Sequence, residues 1–304
     1  MPPIASVDVP ASSANLGSGF DCFAAALSLK LRAELWHGDD PGITLNARGE
    51  GAPRDDEPAD DNLLIRAFRE GLRISSAPGS ASWRLDVSSM IPSARGLGSS
   101  AAAIVAGVVL GAAVGRRTVE ADELLALAAR MEGHPDNVAA ALYGGFTVAV
   151  TEREGEVTLR RFRAPEAWIP VAFIPQRESR TTEMRATLPA DVEHAAAARQ
   201  AGRSALLATA IMTSDAGLLR AAMIDELHQP YRLPHLPGSR ELIDEAYARG
   251  AAGACLSGAG PTVLAICDSP ASAHAVEKAW NASGVPGMAT RLRFDTAGAK
   301  LIAD

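Results

Sequence analysis

Apolar and polar residues recur along the chain in patterns that predict a mixture of strands and helices. Residues 27–36 and 83–89 alternate between apolar and polar side chains, as the two faces of a half-buried strand require. Between residues 62 and 74 the apolar side chains recur at helical spacing, which predicts an amphipathic helix. Similar patterns predict further strands at 3–9, 146–151, 156–162, 169–174, 262–267 and 288–294, and further helices at 101–114, 120–132, 136–142, 191–213, 216–227, 239–249 and 270–283.

The predicted elements fall into two halves that meet at a turn near residue 155. We therefore expect an N-terminal domain over residues 1–155 and a C-terminal domain over residues 156–304. The turn is too short to act as a tether, so the two domains are expected to pack tightly. The second half has the order of an α+β domain with an antiparallel sheet and helices on one face. Residues 50–61, rich in Gly, Pro, Asp and Glu, predict a surface loop.

Length and charge limit the class of protein that this chain can be. Its 304 residues, of which 47% are hydrophobic, can bury the cores of two domains. It carries 29 basic and 36 acidic residues, for a net charge of -7, and it has no long basic run. A nucleic-acid-binding surface requires clustered Lys and Arg, so the composition predicts no nucleic-acid partner.

The cysteines and the apolar stretches indicate in which cellular compartment the protein is expected. Cys22, Cys255 and Cys267 are odd in number and widely spaced, which predicts neither a disulfide framework nor a zinc site. The residues after Met1 lack the basic and apolar regions of a signal peptide. The apolar stretch over 101–114 is too short for a membrane span. These features predict a cytoplasmic protein with no membrane partner.

A glycine- and serine-rich run over residues 96–102 (Gly-Leu-Gly-Ser-Ser-Ala-Ala) separates a predicted strand from a predicted apolar helix. Glycines let a backbone approach a phosphate closely, and a helix start offers free N–H groups and a positive dipole end. The Ser99 and Ser100 hydroxyls add donors, and either could reach a metal. The run predicts a phosphate site, although it lacks the lysine of the nucleotide-binding P-loop and the third glycine of the dinucleotide fingerprint. A glycine turn with a serine helix cap is the structural alternative.

Two further loops combine glycines with polar residues. Residues 10–21 contain Asn15 and Asp21 among small residues, a pair suited to a ligand with an ammonium group. A loop with a helix cap at Asp21 is the alternative. Residues 253–261 contain three glycines, which permit close approach of another segment or a tight turn. Three such loops in one chain are difficult to explain as unrelated turns.

The three loops, in this order and spacing, resemble the three signature motifs of the GHMP small-molecule kinases. The resemblance extends from Pro10 to about Ile266. Residues 14–21, 134–139 and 228–232 resemble the branch of that family which phosphorylates homoserine, and the corresponding galactokinase motif is missing. One departure is that a single glycine separates Glu132 from His134, where several family members have a longer loop.

The resemblance implies a fold and an activity. The fold is the α+β, two-domain GHMP kinase architecture, with an N-terminal α/β domain like the second domain of a ribosomal protein and a C-terminal ferredoxin-like α+β domain. The active site is expected between the domains. The activity is ATP-dependent phosphorylation of the side-chain hydroxyl of L-homoserine to O-phospho-L-homoserine, a step of threonine biosynthesis. The implied assembly is a homodimer.

The resemblance also implies site residues. Arginine suits the carboxylate of the substrate because its planar fork matches two oxygens, and carboxylates suit the ammonium. The implied substrate contacts are Asn15, Asp21, His134, Asp136, Asn137, Arg185 and Arg232, with Asp136, Asn137 and Arg185 as catalytic candidates. The implied ATP contacts are Asn62, Pro92, Ser93, Ala94, Arg95, Gly96, Leu97, Gly98, Ser99, Ser100, Ala101 and Ala102. Mg²⁺, which prefers oxygen ligands, is implied at Ser100 and Glu132.

Several alternatives stay open on the sequence alone. Asn62 is equally suited to cap its helix, Glu132 to be an ordinary helix-end carboxylate, and the two arginines to form surface ion pairs. Asp136 could act as a base, but an amide cannot, so Asn137 favours catalysis by positioning and charge. The wider alternatives are another GHMP kinase that acts on mevalonate or a sugar, and a catalytically inactive nucleotide-binding regulator.

Overall fold

The structure is a computed structural model that describes residues 2–39, 41–50, 62–77 and 82–303. The surface loop predicted at 50–61 lies, apart from Glu50, outside the described residues. The strands are β1 (Ala5–Ala14), β2 (Phe23–His37), β3 (Ile43–Gly49), β4 (Trp83–Ser89), β5 (Phe146–Thr151), β6 (Val157–Phe162), β7 (Ile169–Pro175), β8 (Gly253–Leu256), β9 (Val263–Cys267), β10 (Gly287–Arg291) and β11 (Lys300–Ala303). The helices are α1 (Leu63–Ile74), α2 (Ser99–Ala113), α3 (Ala121–Glu132), α4 (Asp136–Tyr143), α5 (Thr181–Arg185), α6 (His194–Thr213), α7 (Leu219–Ala222), α8 (Gln229–Arg232), α9 (Ser239–Ala248) and α10 (Pro270–Asn281).

A seven-stranded sheet forms the N-terminal part of the fold. Its main path runs β11-β1-β2-β4-β3, and β5 joins β2 and β6 at the other end of the long strand β2. Every pair is antiparallel except β3 with β4. Helices α2 and α4 pack against β1. Helix α2 is buried on nearly all sides because its residues are mostly Ala, Val, Ile, Leu and Gly, so the glycine- and serine-rich loop before it has a fixed support.

A four-stranded antiparallel sheet, in the order β10-β7-β9-β8, forms the second layer of strands. One face contacts α9 and α10, where Val171, Phe173 and Trp280 are fully buried in one core. The opposite face, which includes Leu264, belongs to a second core that also contains Leu207 of α6 and the N-terminal sheet. The antiparallel sheet predicted for the second half is confirmed.

Many predicted elements are confirmed, and two are corrected. The strand predicted at 3–9 continues to Ala14, because a register shift between Pro10 and Ala11 accommodates the proline without ending the pairing with β2. The helix predicted at 216–227 is only a 3₁₀ turn and the single turn of α7. After it, the buried Asp225 carboxylate accepts backbone N–H groups, which favours a turn over helix.

The domain division predicted at residue 155 stays a prediction. Two strands that follow that residue pair within the N-terminal sheet: β6 with β5, and β11 with β1. The chain therefore returns to its first sheet at its C-terminal end, through four register pairs from Ala5 to Asp8.

Candidate active site

Three glycine-containing loops that are far apart in sequence meet between the two sheets. The Ser257 hydroxyl donates to the Gly96 carbonyl at 2.6 Å, and the Gly258 N–H donates to the Ala14 carbonyl at 3.0 Å. A Cβ added at Gly96, whose φ is +76°, would lie 2.3 Å from the Ser257 carbonyl oxygen. The loops therefore pack backbone against backbone, which only glycine permits at that position.

The second of these loops leads directly into α2. Gly98 caps the helix with a φ of +69°, and a Cβ there would lie 2.1 Å from Ser12 Oγ and 3.1 Å from Asn137 Oδ1. The first N–H groups of a helix have no partner within the helix, and α2 directs them into a cavity together with Ser99 and Ser100. The geometry is that of an anion site at a helix N-terminus.

The cavity at this point has a volume of about 640 Å³ and lies between the loops, α2 and the start of α4. It brings together most of the residues that the sequence predicted for the site. Those that line it are Asn15, Asp21, Ser93, Ala94, Gly96, Gly98, Ser99, Ser100, Glu132, His134, Asp136, Asn137, Arg185 and Arg232.

A few predicted ATP contacts lie elsewhere. Pro92, Arg95, Leu97, Ala101 and Ala102 do not line the cavity. Arg95 instead joins the loop to the end of β7, because its guanidinium donates to the carbonyls of Ser93, Pro175 and Gln176. For Leu97, Ala101 and Ala102 the side chains are buried in the core, so only their backbone could contact a ligand.

Asn62 caps the N-terminus of α1, which was the alternative to its predicted role as an ATP contact. Its Oδ1 accepts the N–H groups of Leu64 at 3.0 Å and Ile65 at 3.2 Å. It also lines a second cleft of about 250 Å³ that shares Ser93, Ser99 and Ser100 with the main cavity. The sequence did not predict this cleft, because one wall is β3, a strand that was not recognised from its pattern.

The second cleft opens beside Ser99 and Ser100, and apolar side chains form one part of its lining. Its walls include Leu31, Leu45, Leu63 and Val87 from three strands and α1. The alternation of Ile, Leu and Ala with polar residues over β3 is the signal that could have predicted that strand. An apolar slot next to an anion site suits a flat ring that carries phosphates.

Glu132, at the end of α3, faces the start of α2. Its Oε1 accepts the Ser100 hydroxyl at 2.6 Å. Burial raises the pKa of the Glu132 carboxyl, and the Ser100 hydrogen bond opposes that rise. Within the described residues no group of three or more His, Cys, Asp or Glu could hold a metal alone. A hydroxyl and a carboxylate are nevertheless oxygen ligands of the kind Mg²⁺ prefers, and phosphate oxygens usually complete its shell.

His134, Asp136 and Asn137 form one hydrogen-bonded group at the start of α4. Asp136 is only 1% exposed. Its Oδ1 lies 2.6 Å from His134 Nδ1, and it also accepts a hydrogen bond from the Asn137 backbone nitrogen at 2.7 Å. Burial lowers the pKa of His134, but the Asp136 hydrogen bond and nearby carboxylates outweigh burial and raise the pKa above its ordinary value of 6.5. Asn137 Oδ1 accepts the Ser12 hydroxyl at 2.8 Å, and the amide N–H₂ donates to none of the described residues.

Asp21 and Arg185, which the sequence predicted as separate substrate contacts, are paired in the structure. Both terminal nitrogens of Arg185 donate to the two Asp21 oxygens at 2.8 Å, a bidentate fork. The Asp21 hydrogen bond raises the pKa of Arg185. Asn15 fixes the loop, because its Oδ1 accepts the Asp21 N–H at 3.0 Å and its Nδ2 donates to the Gly258 carbonyl at 2.8 Å.

Arg232 is a buried cation at the wall of the cavity. It is 2% exposed, and within the described residues it forms no ion pair with a carboxylate and its Nε has no partner. Its Nη1 donates to the Gly258 carbonyl at 3.3 Å and to His228 Nδ1 at 3.2 Å. Burial and the charge of Arg185 lower the pKa of Arg232 to about 10, so it stays charged near neutral pH. A buried unpaired guanidinium is costly, and an anionic ligand would offset that cost.

The sequence did not point to every residue of the cavity region. The Ser12 hydroxyl donates to Asn137 Oδ1, a contact that the sequence analysis did not predict. The position of Ser12 in the first signature motif was the available signal. Residues 179–182 also line the cavity, and the Ser179 N–H donates to the Ala94 carbonyl at 2.9 Å. The hydroxyls of Thr181 and Thr182, close before Arg185, were the available signal.

Comparison with known proteins agrees with this geometry. Residues 62–145 match the family described as GHMP kinases N terminal domain, and residues 204–286 match GHMP kinases C terminal. The chain is 41% identical to homoserine kinase of Streptomyces avermitilis, over 97% of this chain and 95% of that protein. It is 40% identical to homoserine kinase of Moorella thermoacetica, over 86% of each. The crystal structure of homoserine kinase from Cytophaga hutchinsonii superposes with a TM-score of 0.88, at 25% identity and 98% coverage of both chains.

The chain therefore belongs to the GHMP kinases, a family of ATP-dependent enzymes, and the predicted two-domain GHMP fold is confirmed. Within that family it is similar to the homoserine kinases over nearly its whole length. The fold alone is shared more widely, since L. major mevalonate kinase superposes with a TM-score of 0.71 at 16% identity. Among the described residues there is no helix that is both long and apolar enough to cross a membrane.

Proposed function

We propose that the protein transfers the γ-phosphoryl group of ATP to the side-chain hydroxyl of L-homoserine and forms O-phospho-L-homoserine, a step of threonine biosynthesis. The observation that carries this proposal is Arg232, a buried guanidinium without a carboxylate partner among the described residues, in a cavity that also contains the anion site of α2. The similarity to homoserine kinases supports the same substrate.

ATP would bind across the two adjoining cavities. The phosphates lie at the N-terminus of α2, against Gly98, Ser99 and Ser100, because free N–H groups and the helix dipole favour negative charge there. The adenosine lies in the apolar cleft between β3 and α1. In this arrangement Asn62 acts on ATP indirectly, through the cap that fixes α1.

Ser100 and Glu132 would hold Mg²⁺ next to the phosphates. Their oxygens already lie within 2.6 Å of each other, and Glu132 has no cationic partner among the described ion pairs. The ion supplies charge neutralisation for the β- and γ-phosphates.

Homoserine would bind on the other side of the phosphates. Its carboxylate pairs with Arg232, and its ammonium faces Asp136, whose second oxygen accepts no hydrogen bond from the described residues. Asn15 and His134 fix the surrounding loop and helix start. Arg185 is the second arginine that could bind the substrate carboxylate. Its guanidinium would first have to release Asp21.

The transfer itself needs alignment more than a base. The homoserine hydroxyl oxygen forms a bond to the γ-phosphorus while the bond from that phosphorus to the β–γ bridging oxygen breaks, and ADP leaves. The hydroxyl proton passes to the transferred phosphoryl group. Asn137 orients the hydroxyl through its amide N–H₂, which donates to no described residue, while its oxygen accepts the Ser12 hydroxyl.

A coupled ADP-release assay with homoserine, mevalonate, shikimate and galactose tests the proposal. We expect Mg²⁺-dependent turnover with homoserine only, because galactose has no carboxylate for Arg232 and mevalonate has no ammonium for Asp136. Arg232→Lys should raise the KM for homoserine by about tenfold or more, since lysine cannot form the bidentate pair. Arg249→Lys, a substitution in an exposed helical ion pair, is the matched control. Turnover with mevalonate alone, or with none of the four compounds, would contradict the proposal.

The homodimer that the resemblance implies and the cytoplasmic location that the cysteines and apolar stretches predict both stay predictions. Sedimentation velocity of the purified chain at several concentrations checks the first.

A further inference from the structure

Directly behind Arg232 lies His228, a fully buried histidine that the reaction itself does not use. Its Nδ1 lies 3.2 Å from Arg232 Nη1, and its Nε2 lies 3.2 Å from the Gly17 carbonyl. A guanidinium can only donate, so Nδ1 must be the unprotonated acceptor. A carbonyl can only accept, so Nε2 must carry the hydrogen. Both contacts therefore require the same neutral tautomer.

The charges around His228 agree with this tautomer. The groups that face it are Arg232 on α8, Asp21 on the N-terminal loop, and Asp225 on its own turn, with Asp225 Oδ2 at 3.5 Å from Nε2. Burial lowers the pKa of His228 to about 4, so near neutral pH the ring is uncharged and adds no positive charge beside Arg232.

The turn that carries His228 is fixed by a buried carboxylate. Asp225 accepts the backbone N–H groups of Leu227, His228 and Gln229 at 3.0, 3.0 and 2.6 Å, and the Gln200 side chain at 2.8 Å. A ring on so constrained a turn has little freedom to move. Its Nδ1 is therefore a fixed acceptor toward which the Arg232 guanidinium orients.

A second ring holds the same guanidinium. Phe20 stacks on His228 with a centroid distance of 5.4 Å and an interplanar angle of 24°. The Arg232 Cζ lies 5.4 Å from the Phe20 centroid, and the Arg185 Cζ lies 5.7 Å from it. The negative face of an aromatic ring attracts guanidinium groups, so Phe20 offsets part of the repulsion between these two arginines. Phe20 does not line the cavity, so its influence on a ligand passes through the arginines.

We propose that His228 and Phe20 are positioning residues that hold the Arg232 guanidinium where the substrate carboxylate binds, and so determine the preference for a carboxylate-bearing substrate. This inference rests on the proposed function. Among the described residues Arg232 has few other partners to fix it, since its Nε has none and its remaining hydrogen bond is the long one to the Gly258 carbonyl. Loss of the histidine acceptor would leave the guanidinium free to turn away from the carboxylate.

The role of His228 is tested by substitutions that each imitate only one of its two ring nitrogens, Nδ1 or Nε2. Asparagine can place its Oδ1 near the position of Nδ1 and accept from Arg232, whereas glutamine reaches toward the Nε2 position and loses that acceptor. We expect His228→Gln to raise the KM for homoserine roughly tenfold, the equivalent of one hydrogen bond to a charged group. We expect His228→Asn to restore most of the affinity, and the KM for ATP to stay unchanged in both variants.

A second substrate separates positioning from general damage. The compound 3-aminopropan-1-ol is homoserine without its carboxylate, so Arg232 cannot favour it. We expect His228→Gln and Phe20→Leu to lower kcat/KM for homoserine by roughly three- to tenfold while kcat/KM for 3-aminopropan-1-ol changes little. Phe20→Tyr, which keeps the ring, should behave as the wild type.

The controls distinguish the possible failures. His235→Asn alters an exposed histidine in the turn that follows α8. It should leave kcat/KM unchanged for both substrates. Thermal unfolding of each variant identifies loss of fold. Equal losses on both substrates, or a His228→Asn variant as poor as His228→Gln, would overturn the positioning role. A wild-type protein that turns over neither compound would overturn the proposed function instead.

Discussion

At the scale of single residues, Asp136 and Asn137 are neighbours with different tasks. Asp136 directs one oxygen to His134 and to the Asn137 backbone, and it is nearly inaccessible to solvent. Asn137 gives its oxygen to Ser12 and keeps its N–H₂ free to donate. The arrangement favours substrate orientation by the amide over proton removal by the carboxylate.

Single-turnover measurements of Asp136→Asn and Asn137→Ala test this division. We expect Asn137→Ala to slow phosphoryl transfer by about 10²-fold, the usual effect of removing an oriented donor. Asp136→Asn should weaken homoserine binding but retain measurable transfer, because no base is required. Asn46→Ala, which removes an exposed asparagine hydrogen-bonded to Asp86, is the matched control. Complete loss of transfer in Asp136→Asn with only a weak loss in Asn137→Ala would contradict the positioning mechanism.

The sequence indicated the chemical types of these residues but not all of their partners. It predicted Asp21 for the ammonium and Arg185 for the carboxylate, yet the fold places the two in one bidentate pair although 164 residues separate them. Arg232 consequently becomes the cation without a carboxylate partner among the described residues. A pattern of residues along a chain contains no information about which charges neutralise each other until the loops are packed.

At the scale of elements, helices α1 and α2, which border the proposed ATP site, cross very closely. A Cβ added at Gly111 of α2 would lie 2.3 Å from the Phe68 carbonyl oxygen of α1, and one added at Gly107 would lie 2.4 Å from the Leu64 oxygen. These neighbours are backbone atoms, so a clash cannot be relieved by a side-chain movement. The two glycines thereby fix the distance between α1, which lines the second cleft, and α2, which begins directly after Gly98.

We expect Gly111→Ala to lower the free energy of unfolding by about 1–3 kcal/mol, because the two helices must separate. Gly202→Ala is the matched control, since Gly202 lies on α6 and an added Cβ there would meet no atom within 4 Å. That substitution should raise stability by about 0.5–1 kcal/mol through helix propensity alone. Urea unfolding of both variants measures the difference, and equal effects of the two alanines would show that the helix crossing is not tight.

Helices and strands with a clear apolar pattern were predicted correctly from the sequence. Elements too short to show such a pattern were missed. The spacing of apolar residues in α1 and the asparagine before them predicted the helix and its cap, and β5 begins and ends where the prediction placed it. The short helices α5 and α8 were missed because four or five residues contain too little periodicity to recognise. In the case of β8, four consecutive buried residues also give no alternation.

At the scale of the whole molecule, the chain closes on itself through β11. Residues Lys300 to Ala303 pair with β1, whose far end leads to the Ser12 and Asn15 region of the active site. Without β11, β1 would become an unpaired sheet edge, which exposes backbone N–H and C=O groups to other chains.

We expect deletion of residues 300–304 to lower the unfolding temperature and to increase aggregation on heating. Below that temperature the kcat should stay close to that of the full chain, because β11 pairs with Ala5 to Asp8 and none of its residues lines the cavity. Light scattering during thermal unfolding, together with the ADP-release assay, measures both effects. A truncated protein with unchanged thermal behaviour would show that β11 does not protect the edge.

Local and chemical features of this protein follow from the order of its amino acids alone. Glycine spacing and helical periodicity predicted an anion site and the main elements, because each depends on residues close together in the chain. The order of the three loops along the chain carried the resemblance to the GHMP kinase family. Features that depend on distant residues arose only in the folded chain. Folding buried Arg232 without an ion pair to any described carboxylate, paired Asp21 with Arg185, placed β3 beside α1 to form the second cleft, and set His228 and Phe20 behind the guanidinium. Burial and charge pairing arise only when the chain packs, so the local pattern could not supply them.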